Sequence, residues 1–300
     1  MRRSPARWVA PVLIAIAVPF ATAGPAAADP DQGPVQRYVA LGDSYAAGPL
    51  VPIPTGEPAG CLRSDHNYPS VVAQELGVAD FHDVSCSGAT TENITGPQGV
   101  PLGKNPPQLE ALTPDTQLVT ISIGGNDIGF GDIVQECATR SPLQPTGSAC
   151  KDHYTAGGTD QLTQRVDDAA PKVADVLAAI DRRSPDARVL LVGYPAILPD
   201  EGPGCFPVVP FSPGDVEYLR GVEKDLNAML AKQAAAAGTE FVDTYTPSIG
   251  HDACQPPGTK WVEGLVPTAP AAPVHPNALG MREIGRVVAG AVGGSSSPAA

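Results

Sequence analysis

Five short apolar runs punctuate the chain, at residues 36–41, 81–85, 117–123, 188–192 and, more weakly, 240–242. Three longer stretches with helical periodicity, 68–76, 161–180 and 216–237, are interleaved with them. Apolar runs of this length closed by Gly42-Asp43 or Gly124-Gly125 have the extent and punctuation of buried strands. Strands that alternate with helices predict a parallel sheet covered on both faces, joined by right-handed crossovers: an α/β fold, a three-layer α/β/α sandwich in one domain. In the second helical stretch Leu162, Val166, Val173, Leu177 and Ile180 fall on one stripe, but Pro171 removes a backbone donor and predicts a kink or a split. The third has a well-marked start, with Ser212 as N-cap, Pro213 in the first helical position and Asp215 in the first turn. Thirty-two glycines and 34 prolines concentrate in 49–60, 95–107, 141–159 and 196–214, which read as long loops. In such folds the loops over the carboxyl edge of the sheet bind ligands.

The N-terminus carries Arg2, Arg3 and Arg7, then an apolar run 9–20 broken by Pro11 and Pro19, then small residues up to Ala28. That is the order of a secretory leader, and the run is too short for a membrane anchor. The expected organisation is a signal peptide at 1–28, a single domain at 29–292 and a disordered tail at 293–300, and the protein is expected to be secreted. Export into an oxidising compartment makes Cys61, Cys86, Cys137, Cys150, Cys205 and Cys254 disulfide candidates, and the chain has no CxxC to favour metal. Six cysteines allow 15 pairings, of which pairing in chain order is the simplest. With 42% hydrophobic and 17% charged residues the chain can bury a core, which excludes disordered, collagen-like and mucin-like classes. Nineteen basic against 32 acidic residues exclude nucleic acid as a partner, and loss of the three leader arginines deepens that imbalance.

Three of the expected strands end on residues that acyl transfer needs. Gly42-Asp43-Ser44-Tyr45 follows the first and places a serine at its carboxyl end; alone, such a serine reads as readily as a helix cap. Ser87-Gly88-Ala89 follows the second and Gly124-Gly125-Asn126-Asp127 the third. A glycine N–H and an asparagine amide are donors suited to a developing oxyanion. Among His66, His82, His153, His251 and His275, the last is fixed on both sides, by Pro276 and by Asn277, which can cap a final helix over 278–288. The nucleophile elbow GxSxG of α/β-hydrolases is absent from the sequence.

The blocks GDS at 42–44, Gly88, GGND at 124–127 and His-Pro-Asn at 275–277 resemble, in order, those of the SGNH (GDSL) hydrolases, with secreted bacterial lipases and esterases bearing three disulfides as the nearest likeness. The resemblance spans the mature domain. It implies a flavodoxin-like five-stranded parallel sheet, disulfides Cys61–Cys86, Cys137–Cys150 and Cys205–Cys254, Ser44 as nucleophile, His275 as base, and an oxyanion hole of the Ser44 and Gly88 N–H groups and the Asn126 amide. No cofactor or metal is implied. The aspartate that commonly stands three residues before the histidine is Ala272 here, so a carboxylate from afar, Asp243 or Asp252, or a backbone carbonyl must hold the imidazole; the carbonyl of Ala272 is the expectation. The expected activity is that of a secreted lipase or carboxylesterase, acting as a monomer on a small-molecule or lipid ester without a membrane anchor. Acetyl-polysaccharide esterase and phospholipase are alternatives on the same fold, and a non-catalytic binding protein is the alternative of another class. The aliphatic segments 50–53 and 206–209 offer walls for an apolar groove, or simple loop packing.

Overall fold

The computed structural model describes residues 34–294 together with Met1; residues 2–33, which hold nearly all of the expected leader, and residues 295–300 of the expected tail lie outside the described residues. From Pro34 the chain runs β1 (Arg37–Gly42), α1 (Ser44–Ala47), α2 (Tyr68–Leu76), β2 (Asp80–Asp83), α3 (Glu92–Thr95), β3 (Gln98–Val100), β4 (Gly103–Asn105) and β5 (Leu118–Ser122). It continues through α4 (Phe130–Arg140), α5 (Ala149–Thr155), α6 (Gln161–Arg183), β6 (Arg188–Val192), α7 (Pro213–Ala237), β7 (Glu240–Val242) and α8 (Ala278–Val292).

The five expected strands form one parallel sheet in the order β2-β1-β5-β6-β7. Alternate residues feed its two faces. Tyr38, Ala40, Leu118 and Leu190 pack with α2 and α8, whereas Val39, Leu41, Val119 and Leu191 pack with α6 and α7. The central strands are therefore buried on both faces, and the two polar side chains of β5, Thr120 and Ser122, bond the Tyr38 and Tyr68 hydroxyls. Strand order reverses between β1 and β5, and the crevice at such a switch point, outside the carboxyl ends, is where ligands bind in this architecture.

The structure sharpens three local expectations. Helix α6 does not split at the exposed Pro171, because Leu162, Val166, Val173, Leu177 and Ile180 are buried on both sides of it and their packing outweighs the lost hydrogen bond. Ser212 is the N-cap residue of α7, with Pro213 opening it and Asp215 in its first turn as expected, but the Ser212 hydroxyl bonds the Gly147 carbonyl and the Asp215 carboxylate instead of a helix N–H. Within the segments read as loops, 95–107 contains the antiparallel hairpin β3–β4 and 141–159 contains α5. Neither has a periodicity of its own: α5 is held from outside by Asp215, which accepts from the N–H groups of Cys150 and Lys151.

Disulfides join Cys61 to Cys86, Cys137 to Cys150 and Cys205 to Cys254, the pairing in chain order. Among the described residues no helix is long and apolar enough to cross a membrane.

Candidate active site

Strand β1 ends at Gly42 with φ 140°, pressed so closely on β5 that a Cβ there would lie 2.6 Å from the Ser122 carbonyl oxygen. Only glycine fits this turn. The Gln108 side chain holds Gly42 like a short strand partner, its Oε1 accepting from the Gly42 N–H at 2.7 Å and its Nε2 donating to the Gly42 carbonyl at 2.9 Å. Asp43 then caps α1, accepting from the Tyr45 N–H at 2.9 Å, and Ser44 opens the helix. N–H groups in a first helical turn have no carbonyl partner inside the helix.

The His275 segment comes from the far end of the chain. Asn277 caps α8 by accepting from the Gly280 N–H, and donates to the Lys260 carbonyl and to Glu263. Val274 takes φ 60° and its carbonyl accepts from the Tyr45 hydroxyl at 2.8 Å, while the Tyr45 ring lies 5.0 Å from the imidazole. The result is a contact of 2.8 Å between His275 Nε2 and Ser44 Oγ.

The partner of the other ring nitrogen differs from the expectation. His275 Nδ1 lies 2.8 Å from the carbonyl of Pro273, whereas the Ala272 carbonyl accepts from the His275 backbone N–H at 3.2 Å. The left-handed Val274 turns the ring back toward the carbonyl two residues before it and leaves that of Ala272 in the turn itself. Asp243 is occupied with the Tyr245 and Thr246 N–H groups, and Asp252 with the Cys254 N–H and the Gln255 amide. A carbonyl can only accept, so Nδ1 carries the proton and Nε2 is free to accept one from Ser44. Burial lowers the His275 pKa below its ordinary value, and the bond to Pro273 offsets part of that.

The expected oxyanion donors sit on the two neighbouring strand ends. Gly88 is exposed with φ 78°, a conformation that favours glycine. Its position is fixed by the Cys61–Cys86 bridge, by the Ser87 N–H on the Cys61 carbonyl, and by Gln98 Nε2 donating to the Ser87 carbonyl at 2.9 Å. Asn126 Nδ2 donates to the Ala89 carbonyl at 2.9 Å, which orients the amide and leaves its second hydrogen for a ligand. Asp127 accepts from the N–H and hydroxyl of Thr91 and so ties the strand β5 end to the Gly88 loop.

One residue that sequence reasoning missed joins these parts. The Tyr194 hydroxyl donates to Asp43 Oδ2 at 2.6 Å and accepts from the Gly125 N–H at 2.9 Å, so a single buried phenol links the residue before Ser44 to the residue before Asn126. Tyr194 follows β6 by two residues, and the strand-end criterion that singled out Ser44, Gly88 and Asn126 would have flagged it too. Burial pushes the Asp43 carboxyl up to about 7 despite the bonds from Tyr194 and Tyr45.

Beside Ser44 opens a pocket whose wall is apolar: Ile128, Phe130, Ile133, Phe211, Val222 and Leu226 line it. These come from α4, α7 and the loops before them. The segments 50–53 and 206–209 do not line it; Val51 and Val209 are buried, and Leu50, Ile53 and Val208 face solvent. Glu223 reaches the pocket, accepts from the Ile197 N–H, and is pushed well above the usual carboxylate pKa by burial.

The chain resembles known proteins over most of its length. The sequence profile of the GDSL-like Lipase/Acylhydrolase family matches residues 40–283. Over 257 residues, 84% of either chain, the protein is 41% identical to Lipase 2 of Streptomyces coelicolor. Its fold is similar to the crystal structure of an extracellular lipase from Streptomyces rimosus, with TM-score 0.65 and 30% identity over 85% of this chain and 97% of that one. It is similar as well to phospholipase A1 from Streptomyces albidoflavus NA297, with TM-score 0.67 and 27% identity over 85% of this chain and 98% of the other. The chain belongs to the GDSL-like lipase/acylhydrolase family.

Proposed function

We propose that this ester hydrolase works by two-step acyl transfer, with Ser44 as nucleophile and His275 as base, on esters whose acyl chain is apolar and several carbons long. The observation that carries the reading is the 2.8 Å contact of Ser44 Oγ with an imidazole nitrogen free to accept, at the mouth of an apolar pocket. Ser44 Oγ attacks the ester carbonyl carbon while its proton passes to His275 Nε2. The N–H groups of Ser44 and Gly88 and the Asn126 amide receive the oxyanion. The carbon–oxygen bond to the alcohol then breaks and the alcohol leaves with the proton from Nε2. Water, deprotonated by the same nitrogen, attacks the acyl-enzyme and releases the acid and Ser44.

The Pro273 carbonyl holds the tautomer as the aspartate of a triad would, but brings no negative charge to stabilise the imidazolium. His275 is then a dyad base with a pKa below that of a free imidazole, and kcat/KM has an acid limb where the pH drops through that lowered value. Asp43 adds a second titration near 7. In Asp43→Asn the limb that remains is that of His275 and is expected below 6.5; a remaining limb at 7 or above contradicts the assignment.

Aryl esters of graded acyl length test the substrate class. The expected result is a kcat/KM that rises from acetyl toward medium-length chains. A preference for acetyl overturns the reading and favours acetyl-polysaccharides, although Trp261, the one tryptophan beyond the expected leader, is buried against His251 and offers sugars no platform. Secretion is part of the proposal, supported by the leader-like N-terminus and the three disulfides.

A further inference from the structure

Three leucines occupy positions that folding alone does not explain. Leu50, Leu62 and Leu102 have φ of 64°, 56° and 62°, the left-handed region in which a Cβ crowds the backbone carbonyl oxygen. They are also 57%, 43% and 101% exposed, so the fold gains little from burying them. Glycine or asparagine would suit each backbone better. A single exposed leucine is ordinary, but three at strained loop positions on connected loops are not.

The loops are connected to each other and to the site. Loop 49–65 leaves α1 directly, and its Pro49 carbonyl accepts from the Ala272 N–H in the His275 segment. Leu62 follows Cys61, which is bridged to Cys86 beside Gly88. Leu102 is at the turn between β3 and β4. That hairpin packs on the first loop so tightly that a Cβ on Gly60 would meet the Pro101 carbonyl at 2.2 Å, and one on Gly103 would meet Pro58 at 3.0 Å. Ile53, 61% exposed, lies on the same surface loop.

Charge selects the occupant. Across loops 49–65 and 98–105 the charged residues are Glu57, Arg63, Asp65 and Lys104, two of each sign, in a chain of net charge −13. An anionic surface would be repelled by the rest of the molecule, and these loops expose no aromatic or arginine anchor of the kind that protein interfaces use, since Arg63 is buried on the Ser85 and Glu57 carbonyls. Separate aliphatic side chains on loop tips suit insertion among lipid chains. We propose that loops 49–65 and 98–105 dock the protein on the surface of uncharged or zwitterionic lipid, through Leu50, Leu62 and Leu102, next to the segments that carry Gly88 and His275. The benefit of this face to catalysis rests on the acyl-ester reading; the binding itself does not.

Vesicles of diether phosphatidylcholine, which has no ester to cleave, test the docking by sedimentation or fluorescence. The wild-type chain is expected to bind them, and more weakly when an anionic diether lipid is included. The triple variant Leu50→Asn, Leu62→Asn, Leu102→Asn keeps side chains that tolerate left-handed backbone, so its Tm should equal or exceed that of the wild type. Its vesicle affinity is expected to fall at least about tenfold, while kcat/KM on a water-soluble aryl ester stays within about twofold. Equal binding by wild type and variant overturns the proposal, as does failure of the wild type to bind. A concentration-dependent dimer that the variant loses overturns it in favour of a second copy. Ser44→Ala should bind vesicles like the wild type, so a failure of the nucleophile assignment leaves this result intact.

Discussion

Ser44→Ala should lower kcat on an aryl ester by about 10⁴-fold to 10⁶-fold with little change in Tm, because the alanine keeps the backbone and removes only the oxygen that bonds the acyl group. Ser44 is 8% exposed and its hydroxyl is held by His275 Nε2 at 2.8 Å, so the change deletes one hydrogen bond and leaves no large cavity. His275→Ala should cost a comparable factor, and the double variant little more than either alone, since the two act as a unit. Steady-state kinetics with thermal denaturation on the three variants checks this. A double variant far slower than both single ones would mean that Ser44 and His275 serve separate steps.

Asn126→Ala is the second large effect, a fall in kcat of about 100-fold to 1,000-fold, the usual consequence of removing one oxyanion donor. The free hydrogen on Asn126 Nδ2 would meet charge that develops only in the transition state, so kcat should fall more than KM rises. The other hydrogen is engaged by the Ala89 carbonyl, so the alanine variant also loosens the tie between the β5 end and the Gly88 loop. That second contribution is modest, about 1 kcal/mol of stability for a hydrogen bond of this kind. A variant that unfolds early but keeps kcat would make Asn126 a structural residue only.

The sheet was legible because its central strands β1, β5 and β6 are largely apolar runs closed by glycine turns, and because period and punctuation are local properties. Ser44, Gly88 and Asn126 could be found for the same reason: each lies just past the end of β1, β2 or β5, and the switch point brings those ends together. His275 was legible through Pro276 and Asn277, which constrain it from the sequence alone. What the sequence hid depends on distant partners or on a single dihedral angle. The choice of the Pro273 over the Ala272 carbonyl follows from the left-handed backbone of Val274, an unusual conformation for a β-branched residue and one that no local propensity announces. Tyr194 and Gln108 act across 151 and 66 residues of chain, through hydrogen bonds that have no periodic signature. Pro171 misled in the other direction, because the packing of α6 on both sides of it overrode a rule that holds for isolated helices.

The central claim is that Ser44 is an activated nucleophile in the folded protein. Reaction of the native chain with a fluorophosphonate, followed by peptide mapping in a mass spectrometer, tests it most directly. The account predicts a single adduct on Ser44 that is lost on denaturation before labelling and strongly slowed in His275→Ala. A folded protein that remains unmodified at Ser44, or that carries the adduct on another residue, would contradict it.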